Sequence, residues 1–361
     1  MEQTLALAAQ AHGLASPNPL VGAVVVRDDE VVGQAFHTYA GVKHAEVLAL
    51  EQAGARARGA TLYTNFEPCT HTGRTPPCVD AILAAGIKRV VAATSDPNPA
   101  VNRRGLEKLR AAGLDVSAGL LEEEARQLNE AFACFIRLRR PQVTLKAALS
   151  LDAKIAGGAA GERWISSEES RAYVQTLRHQ HDVVLTGVGT VLADDPLLTD
   201  RSGRPRRRPL LRVVLDTRLR LPLDSQLVRR AANDLLVFTS ADASPGKRRE
   251  LETRGVQIEF VQEMSGKLGL PGVLRRLAER EITSVLLEAG AQVNANALES
   301  NLVDKVFLFF APRFLGSEQT VPLLANGASV SSAIRLHRYR LHRFGPDFAI
   351  EGWLRDVYRD H

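Results

Sequence analysis

The chain has 361 residues, 45% of them hydrophobic, with 46 basic against 41 acidic residues and three cysteines. That length supports two cores of ordinary domain size, and no apolar run reaches the length of a membrane span. The first residues carry an acid at Glu2 and their apolar run stops at His12, which is not a secretory pattern.

An odd cysteine count, with two cysteines near a His-x-Glu, favours metal ligation over disulfides, and a cytoplasmic protein is expected. The positive surplus lies wholly beyond Arg140: 15 basic and 15 acidic residues fall up to that point, and 31 and 26 after it. Much of it sits in Arg201–Arg220, read either as a solvated loop or as an attractor of phosphorylated ligands. No aromatic residue is interleaved there, so no nucleic-acid groove is expected.

In chain order, Glu2 to His12 reads as a helix. Asn18-Pro-Leu-Val-Gly22 is a turn into the strand Ala23–Val26, and Asp28-Asp29 closes a hairpin to Val31-Val32. A helix is expected from His44 to Ala53, ended by Gly54, then a strand over Thr61–Thr64. Cys78 starts a helix to Ala85, followed by a strand at Arg89–Ala93, a helix at Leu106–Ala112 and an edge strand at Leu114–Ser117. One long helix, Glu122 to Arg139, closes this half. Its apolar set includes Leu128, Phe132, Phe135 and Ile136, so Cys134 reads as a structural thiol. The order β-β-α-β-α-β-α-β predicts an α/β sandwich.

The second half begins near Val143. Strand-like runs recur at Val143–Leu149, Val183–Thr186, Leu211–Leu215, Leu235–Thr239, Val256–Val261, Ser284–Glu288 and Val306–Phe310, with helical segments between several of them. This alternation predicts a second sheet with helices on both faces. Arg201–Pro209 reads as an exposed loop.

One constellation carries chemistry by itself. His44-Ala-Glu46, Pro68-Cys69 and Cys78 offer one imidazole and two thiolates. Such a set binds zinc and leaves a position open for water. Zinc lowers the pKa of bound water to about 7, and a carboxylate two residues from the histidine can move protons without binding metal. Glu46 is the expected shuttle to the leaving amine. The second cysteine stands nine residues after the first, whereas the common deaminase pattern places it three residues on. Residues two apart on a regular helix point away from each other, so His44 is expected at the very start of its helix. His71 is a further candidate ligand, expected instead to face substrate or solvent.

The segments Asn18-Pro-Leu-Val-Gly22, His44-Ala-Glu-Val47, Glu67-Pro-Cys-Thr-His71 and Gly73-Arg-Thr-Pro-Pro-Cys78 resemble the deaminase domain of the bifunctional riboflavin-biosynthesis deaminase/reductase family. Ser150-Leu-Asp152, Trp164-Ile-Ser166, Gly189-Thr-Val-Leu-Ala-Asp-Asp-Pro196 and Glu288-Ala-Gly290 resemble its reductase domain, in the same order. The resemblance implies a cytidine-deaminase-like α/β/α sandwich over residues 1–142 and a dihydrofolate-reductase-like α/β domain over 143–361. It implies deamination of a phosphoribosylated diaminopyrimidinone, then reduction of its ribose to ribityl with NADPH. The zinc ligands would be His44, Cys69 and Cys78, with Glu46 as proton donor and Asn18 at the pyrimidine. Thr64-Asn65-Phe66 departs from the family's usual Thr-Leu before Glu-Pro-Cys.

No Gly-x-Gly-x-x-Gly follows a strand, so a Rossmann fold is not supported. By the resemblance, cofactor contacts fall on Ala148, Trp164, Thr190, Asp194, Thr217, and on Gly290, Ala291, Gln292, Val293, Asn294, Ala295 and Asn296. Substrate contacts fall on Glu162, Arg178, Leu198, Arg201 and Glu288. Asp194 is the candidate proton donor for reduction, although one of Asp194 and Asp195 can instead cap a turn. Lys146 can contact phosphate or pair with Glu288. Trp164 can pack on the nicotinamide or fill a core. Asp152-Ala153 departs from the usual Asp-Gly, and the added Cβ is expected to crowd the loop.

The expected partner is a phosphorylated pyrimidine, with a second copy of the chain as a homo-oligomer, and neither nucleic acid nor membrane. Two alternatives stay open. One is a zinc deaminase of a nucleoside or tRNA base with an inactive second half. The other is a zinc-stabilised binding protein without turnover.

Overall fold

In the computed structural model of the chain, residues 1–39, 43–70, 76–99, 101–156, 164–264, 266–316, 320–325 and 333–359 are described. The chain divides into two compact units. The first holds Met1–Arg139, Pro205–Arg208 and the residues from Val357; the second holds Arg140–Arg204 and Pro209–Asp356.

The first unit runs α1 (Glu2–Ala9), β1 (Gly22–Arg27), β2 (Glu30–Phe36), α2 (Ala45–Ala53), β3 (Thr61–Thr64), α3 (Cys78–Ala84), β4 (Arg89–Ala92), α4 (Arg104–Ala111), β5 (Asp115–Ala118), α5 (Glu122–Leu128) and α6 (Glu130–Leu138). The sheet order is β2-β1-β3-β4-β5, with β1 antiparallel to both neighbours and β3, β4 and β5 parallel. Asp28 and Asp29 both take positive φ, the backbone a tight hairpin turn requires.

Helices approach this sheet closely at two glycines. A Cβ on Gly22 would stand 2.3 Å from the Thr4 carbonyl of α1, and one on Gly33 would stand 2.1 Å from the Ala49 carbonyl of α2. Val25 opposes Gly33 and lies three residues from Gly22. The two glycines therefore face opposite sides, and the unit is a three-layer sandwich. Between α2, α3 and the sheet lies a core that includes Val25, Leu50, Leu62, Ile82 and Val90.

The long helix expected over Glu122–Arg139 is instead broken into α5 and α6 at Asn129. The cause is a tertiary demand on that side chain. Asn129 accepts from the Leu20 N–H (2.8 Å) and donates to the Leu20 carbonyl (3.1 Å). Asn65 does the same work from β3: it accepts from Gly22 N–H and donates to the Leu20 carbonyl. Two buried amides thus hold the Asn18–Gly22 turn, so the Asn65 departure keeps its strand end tied down. Cys134 is fully buried beside Ala133 and Val357. Arg201–Pro209 is not simply solvated. Arg207 lies 4.0 Å over the Tyr39 ring, and its N–H donates to the Gly13 carbonyl.

The second unit runs β6 (Gln142–Leu149), β7 (Lys154–Ala156), α7 (Glu168–Gln180), β8 (Val183–Gly187), α8 (Val188–Asp194), β9 (Leu211–Leu215), α9 (Gln226–Arg229), β10 (Leu235–Thr239), α10 (Pro245–Glu252), β11 (Gln257–Phe260), β12 (Glu263–Met264), β13 (Lys267–Leu268), α11 (Leu270–Glu279), β14 (Ser284–Leu287), α12 (Ala291–Glu299), β15 (Lys305–Phe310), β16 (Val321–Pro322), β17 (Arg338–Phe344) and β18 (Asp347–Trp353). Nine strands form one sheet in the order β11-β10-β9-β8-β14-β6-β15-β18-β17. The seven from β11 to β15 are parallel, and β18 and β17 close the edge antiparallel.

Alternate residues of the central strands enter two different cores. Leu185, Val213 and Leu236 join one; Val184, Val214 and Val237 join the other. Burial on both faces explains the continuous apolar runs. The β17–β18 hairpin has no such signature, because β17 (Arg-Tyr-Arg-Leu-His-Arg-Phe) is an arginine-rich edge strand.

Asp304, 1% exposed, ties this sheet together at the start of β15. It accepts from both Nη atoms of Arg140 (2.7 and 2.6 Å) and the Val143 N–H (2.9 Å), and it forms an ion pair with Arg355, whose Nε lies 3.3 Å away.

The turn Ser150–Lys154 between β6 and β7 bears on the Asp152-Ala153 departure. Asp152 accepts from Ser150 Oγ and from the N–H groups of Leu315 and Gly316. These bonds, the Ser150 hydroxyl first, hold its carboxyl well below the ordinary range. Ala153 has φ of 58°. The Cβ is thus costly through backbone conformation, by roughly 1–2 kcal/mol for an L-residue in the left-handed region. Glycine removes that strain but loses roughly 0.5–1 kcal/mol to unfolded-state freedom. Ala153→Gly is therefore expected to stabilise this unit by about 1 kcal/mol or less, read as a rise of a few degrees in the thermal midpoint. A lowered midpoint would show that the left-handed strain is absent.

Candidate functional site

His44 occupies the residue before α2, with φ −74° and ψ 158°, so its ring is not bound to helical direction. Cys69 follows Pro68 in the loop after β3, and Cys78 is the first residue of α3. The fold brings the three together. His44 Nδ1 lies 3.0 Å from Cys78 Sγ and 3.5 Å from Cys69 Sγ, and one ligand atom from each falls within 4.8 Å of the others. The Cys78 N–H, at the open end of α3, donates to Cys69 Sγ at 3.3 Å. The hydrogen bond between the thiols holds Cys69 far below the ordinary range, at about 4, and pushes Cys78 up. Two sulfurs sharing one proton, with an imidazole against them, are the protonated counterpart of a Cys2His cation site.

Glu46 lies one turn-start away, 3% exposed. Burial pushes its carboxyl up to about 7. Among the described residues its Oε2 has no hydrogen-bond partner. A buried orphaned carboxylate oxygen beside a three-ligand centre suits a zinc-activated water, so the residues present fit the metal.

Three neighbours were not singled out from sequence. His37, 3% exposed, meets the Asn18 amide at 2.9 Å through Nε2 and the Lys43 carbonyl at 3.0 Å through Nδ1. Its ring stands edge-on to His44 at 5.3 Å. Burial pushes its pKa down, which keeps Nε2 an acceptor for Asn18. Glu67 accepts from three backbone N–H groups, those of Asp96 (2.9 Å), Arg103 (2.8 Å) and Gly105 (2.8 Å). Gly105 must be glycine, because a Cβ there would stand 2.0 Å from the Pro68 carbonyl. Glu67 thus fixes the loop that carries Cys69. His71 lies outside the described residues.

In the second unit Glu288 follows β14 and meets Arg178 of α7 twice, Nε to Oε1 at 2.7 Å and Nη2 to Oε2 at 3.1 Å. Lys146 of β6 reaches Oε2 at 3.4 Å, which favours its pairing with Glu288 over a phosphate contact. Burial would raise the Glu288 carboxyl, but Arg178 and Lys146 outweigh it and hold it at about 2. Arg178 also donates to the Thr199 carbonyl, and the Arg201 N–H is held by Gln175, leaving the Arg201 side chain exposed. Leu198, with φ 52°, is 4% exposed and packs in a core. Glu162 lies outside the described residues.

Gly290 precedes α12, and a Cβ on it would lie 3.6 Å from Thr190 Oγ1 of α8. The Val293 and Asn294 N–H groups of α12 both bond to the Gly290 carbonyl (3.1 Å each), so only the amides ahead of them could meet an anion at this helix start. Val293 packs on Gly187, while Asn294 and Ala295 are buried; the Asn294 amide donates to the Ala289 and Leu323 carbonyls. Asp195 caps α9 by accepting the Gln226 N–H at 2.7 Å, whereas Asp194 is exposed. Trp164 is 55% exposed with Arg171 over its ring, so it does not fill a core. Ala148 is half-buried against the aromatic cluster of Phe307 and Phe309, and Thr217 follows β9.

Two family models match the chain: the cytidine and deoxycytidylate deaminase zinc-binding region over residues 1–94, and the RibD C-terminal domain over residues 141–350. The riboflavin biosynthesis protein RibD of Aquifex aeolicus is 41% identical over 97% of this chain and 96% of its own, and that of Escherichia coli is 38% identical over 97% of each. Among solved structures, the diaminohydroxyphosphoribosylaminopyrimidine deaminase/5-amino-6-(5-phosphoribosylamino)uracil reductase of Thermotoga maritima superposes with a TM-score of 0.83 at 36% identity, covering 98% of this chain and 97% of that one. RibD of Acinetobacter baumannii gives the same TM-score at 34% identity, with the same coverage. A cytidine-deaminase-like sandwich that gathers a histidine, two cysteines and a buried glutamate, ahead of a reductase-like parallel sheet, places this chain in the RibD family of riboflavin-biosynthesis proteins.

Proposed function

We propose that the chain deaminates 2,5-diamino-6-(5-phosphoribosylamino)pyrimidin-4(3H)-one and then, with NADPH, reduces the ribosyl group of the product to ribityl. Residues 1–142 carry the first reaction and 143–361 the second. The observation that carries this reading is the convergence of His44, Cys69 and Cys78 beside Glu46, whose Oε2 has no hydrogen-bond partner among the described residues.

His44, Cys69 and Cys78 would hold zinc, which when bound would lower the pKa of a water toward neutrality. The chain does the rest. Glu46 would take a proton from the attacking water and return it to the leaving nitrogen, with water's second proton ending on the ring nitrogen, so that N=C–NH₂ and water become HN–C=O and ammonia. The Asn18 amide is oriented by His37 to meet the pyrimidine. In the second unit the cofactor carries the hydride, and the protein aligns donor and acceptor carbons. Glu288 keeps Arg178 and Lys146 in fixed positions beside the substrate, exposed Arg201 meets its phosphate, and Asp194 supplies the proton.

No helix among the described residues is long and apolar enough to cross a membrane, which suits the cytoplasmic reading. A second copy of the chain is the proposed macromolecular partner, since edge strand β17 leaves Tyr339 and Leu341 exposed.

The zinc-loaded protein, given the diaminopyrimidinone, should yield a product heavier by about one mass unit without cofactor. A further gain of about two units should follow with NADPH. No deamination by a folded, zinc-loaded sample would sink the substrate assignment. Glu46→Gln should keep its zinc by elemental analysis and lose deamination by roughly 10²–10⁴-fold, while still reducing deaminated intermediate.

Glu288 yields a pH signature. Its folded pKa, about 2, lies below the unfolded value of 4.5. Its stabilising contribution is therefore present above about pH 4.5 and lost as pH falls toward 2. Glu288→Gln should flatten the stability–pH slope of this unit in that window by up to one proton, measured as urea midpoints at stepped pH. Parallel slopes in the two proteins would show that Glu288 is not depressed.

A further inference from the structure

The reductase reading implies a 2′-phosphorylated dinucleotide, yet no residue discussed so far distinguishes NADPH from NADH. We propose that Arg218, anchored beside Ser240, receives the 2′-phosphate and so selects NADPH. This rests on the reductase reading above.

Position comes from strand order. β14 and β8 are neighbours, and the helices that follow them, α12 and α8, begin side by side at Gly290 and Gly187. A pyrophosphate set by the reductase reading at the start of α12, beside Gly187, has two ways to extend. Toward β6 lies the Glu288–Arg178–Lys146 cluster, where the nicotinamide must meet its substrate. The adenosine half must therefore run the other way, over β9 and β10. Gly187, Leu215 and Phe238 stand in register across β8, β9 and β10. Two residues on, the strand ends carry Thr217 and Ser240. Neighbouring strands lie about 4.8 Å apart, so a phosphate on the adenosine ribose, one or two strands from the pyrophosphate, falls at these residues.

Of the two exposed arginines on this turn, Arg218 is the one bonded to the strand ends. Buried Asp216 holds the turn by accepting the Leu221 N–H at 2.7 Å. Leu219, with φ 53°, is buried and anchors the turn, while Arg218 and Arg220 on either side are exposed. The Thr217 carbonyl accepts from Thr239 Oγ1 (3.1 Å) and the Ser240 N–H (3.3 Å), which fastens the turn to β10. Arg218 Nη1 donates to Ser240 Oγ at 3.2 Å and lies 2.9 Å from Glu263 Oε1, while its Nη2 donates to Glu263 Oε2 at 3.5 Å, with the side chain 55% exposed. A half-exposed arginine–glutamate pair is weak. A phosphate dianion offers the guanidinium a stronger, bidentate partner, and the Ser240 hydroxyl a second acceptor. Glu263 then serves as a placeholder that keeps the guanidinium at the strand ends.

The test is equilibrium binding of NADPH, NADH, 2′,5′-ADP and 5′-ADP to the full chain by calorimetry, without turnover. Arg218→Ala should weaken NADPH and 2′,5′-ADP roughly tenfold to a hundredfold, the range of a charge-assisted hydrogen bond, and leave NADH and 5′-ADP within about twofold. Arg220→Ala should change none of them. Equal weakening of phosphorylated and unphosphorylated ligands, or no weakening, would overturn the assignment while leaving the reductase reading intact. A wild-type chain that binds neither dinucleotide would remove the reductase reading and this proposal together.

Discussion

A buried carboxylate must be met by donors, and both units are built around that demand. An unpaired charge in the interior costs several kcal/mol, so the chain is drawn to wherever the donors are. Glu67 answers with three backbone N–H groups from one loop, Asp304 with two arginines and the Val143 N–H, and Glu288 with Arg178 and Lys146. In each case the partners come from distant positions. The carboxylate therefore determines which loops and strands lie side by side, beyond adding local stability. The Cys69 loop stands where it does because the adjacent Glu67 gathers the 96–105 segment under it, and Gly105 lets that segment approach.

Glu46 is the counterpoint. It is as buried as Glu67 but, among the described residues, has one oxygen without a partner, and burial pushes its carboxyl up to about 7. A carboxylate saturated with donors positions its surroundings. One left short of donors can take up and release a proton. The same contrast separates His37, locked between Asn18 and the Lys43 carbonyl, from His44, whose Nδ1 faces two sulfurs.

What could be read from sequence follows from how local each signal is. His44, Cys69 and Cys78 were legible because ligand chemistry restricts residue type and spacing, and the placement of His44 before its helix follows from Glu46 standing two residues on. The central strands were legible because burial on both faces leaves continuous apolar runs at Val183–Thr186 and Leu235–Thr239. Asn129 was not, since its break in the expected helix serves Leu20, over a hundred residues away. The β17–β18 hairpin was hidden by arginines that an edge strand tolerates. The departure at Ala153 was visible, but its cost lies in a backbone angle that residue identity does not report. Glu67 appeared only as a letter in a motif, since its three partners are backbone groups.

The dinucleotide site proposed for the second unit would need no glycine-rich fingerprint. That fingerprint lets one loop approach a pyrophosphate closely. Here two neighbouring strands, β14 and β8, each deliver a helix start to the same edge of a parallel sheet, with Gly290 and Gly187 at the joints. The burden is shared between two short glycine positions far apart in sequence, neither diagnostic alone. The charges on that edge then divide by burial. Arg178 and Lys146 are fixed on Glu288. Arg201 and Arg218 remain exposed, where a phosphate can reach them without leaving an unpaired charge in the interior. The strand order places the buried pairs toward β6 and the exposed Arg218 toward β9.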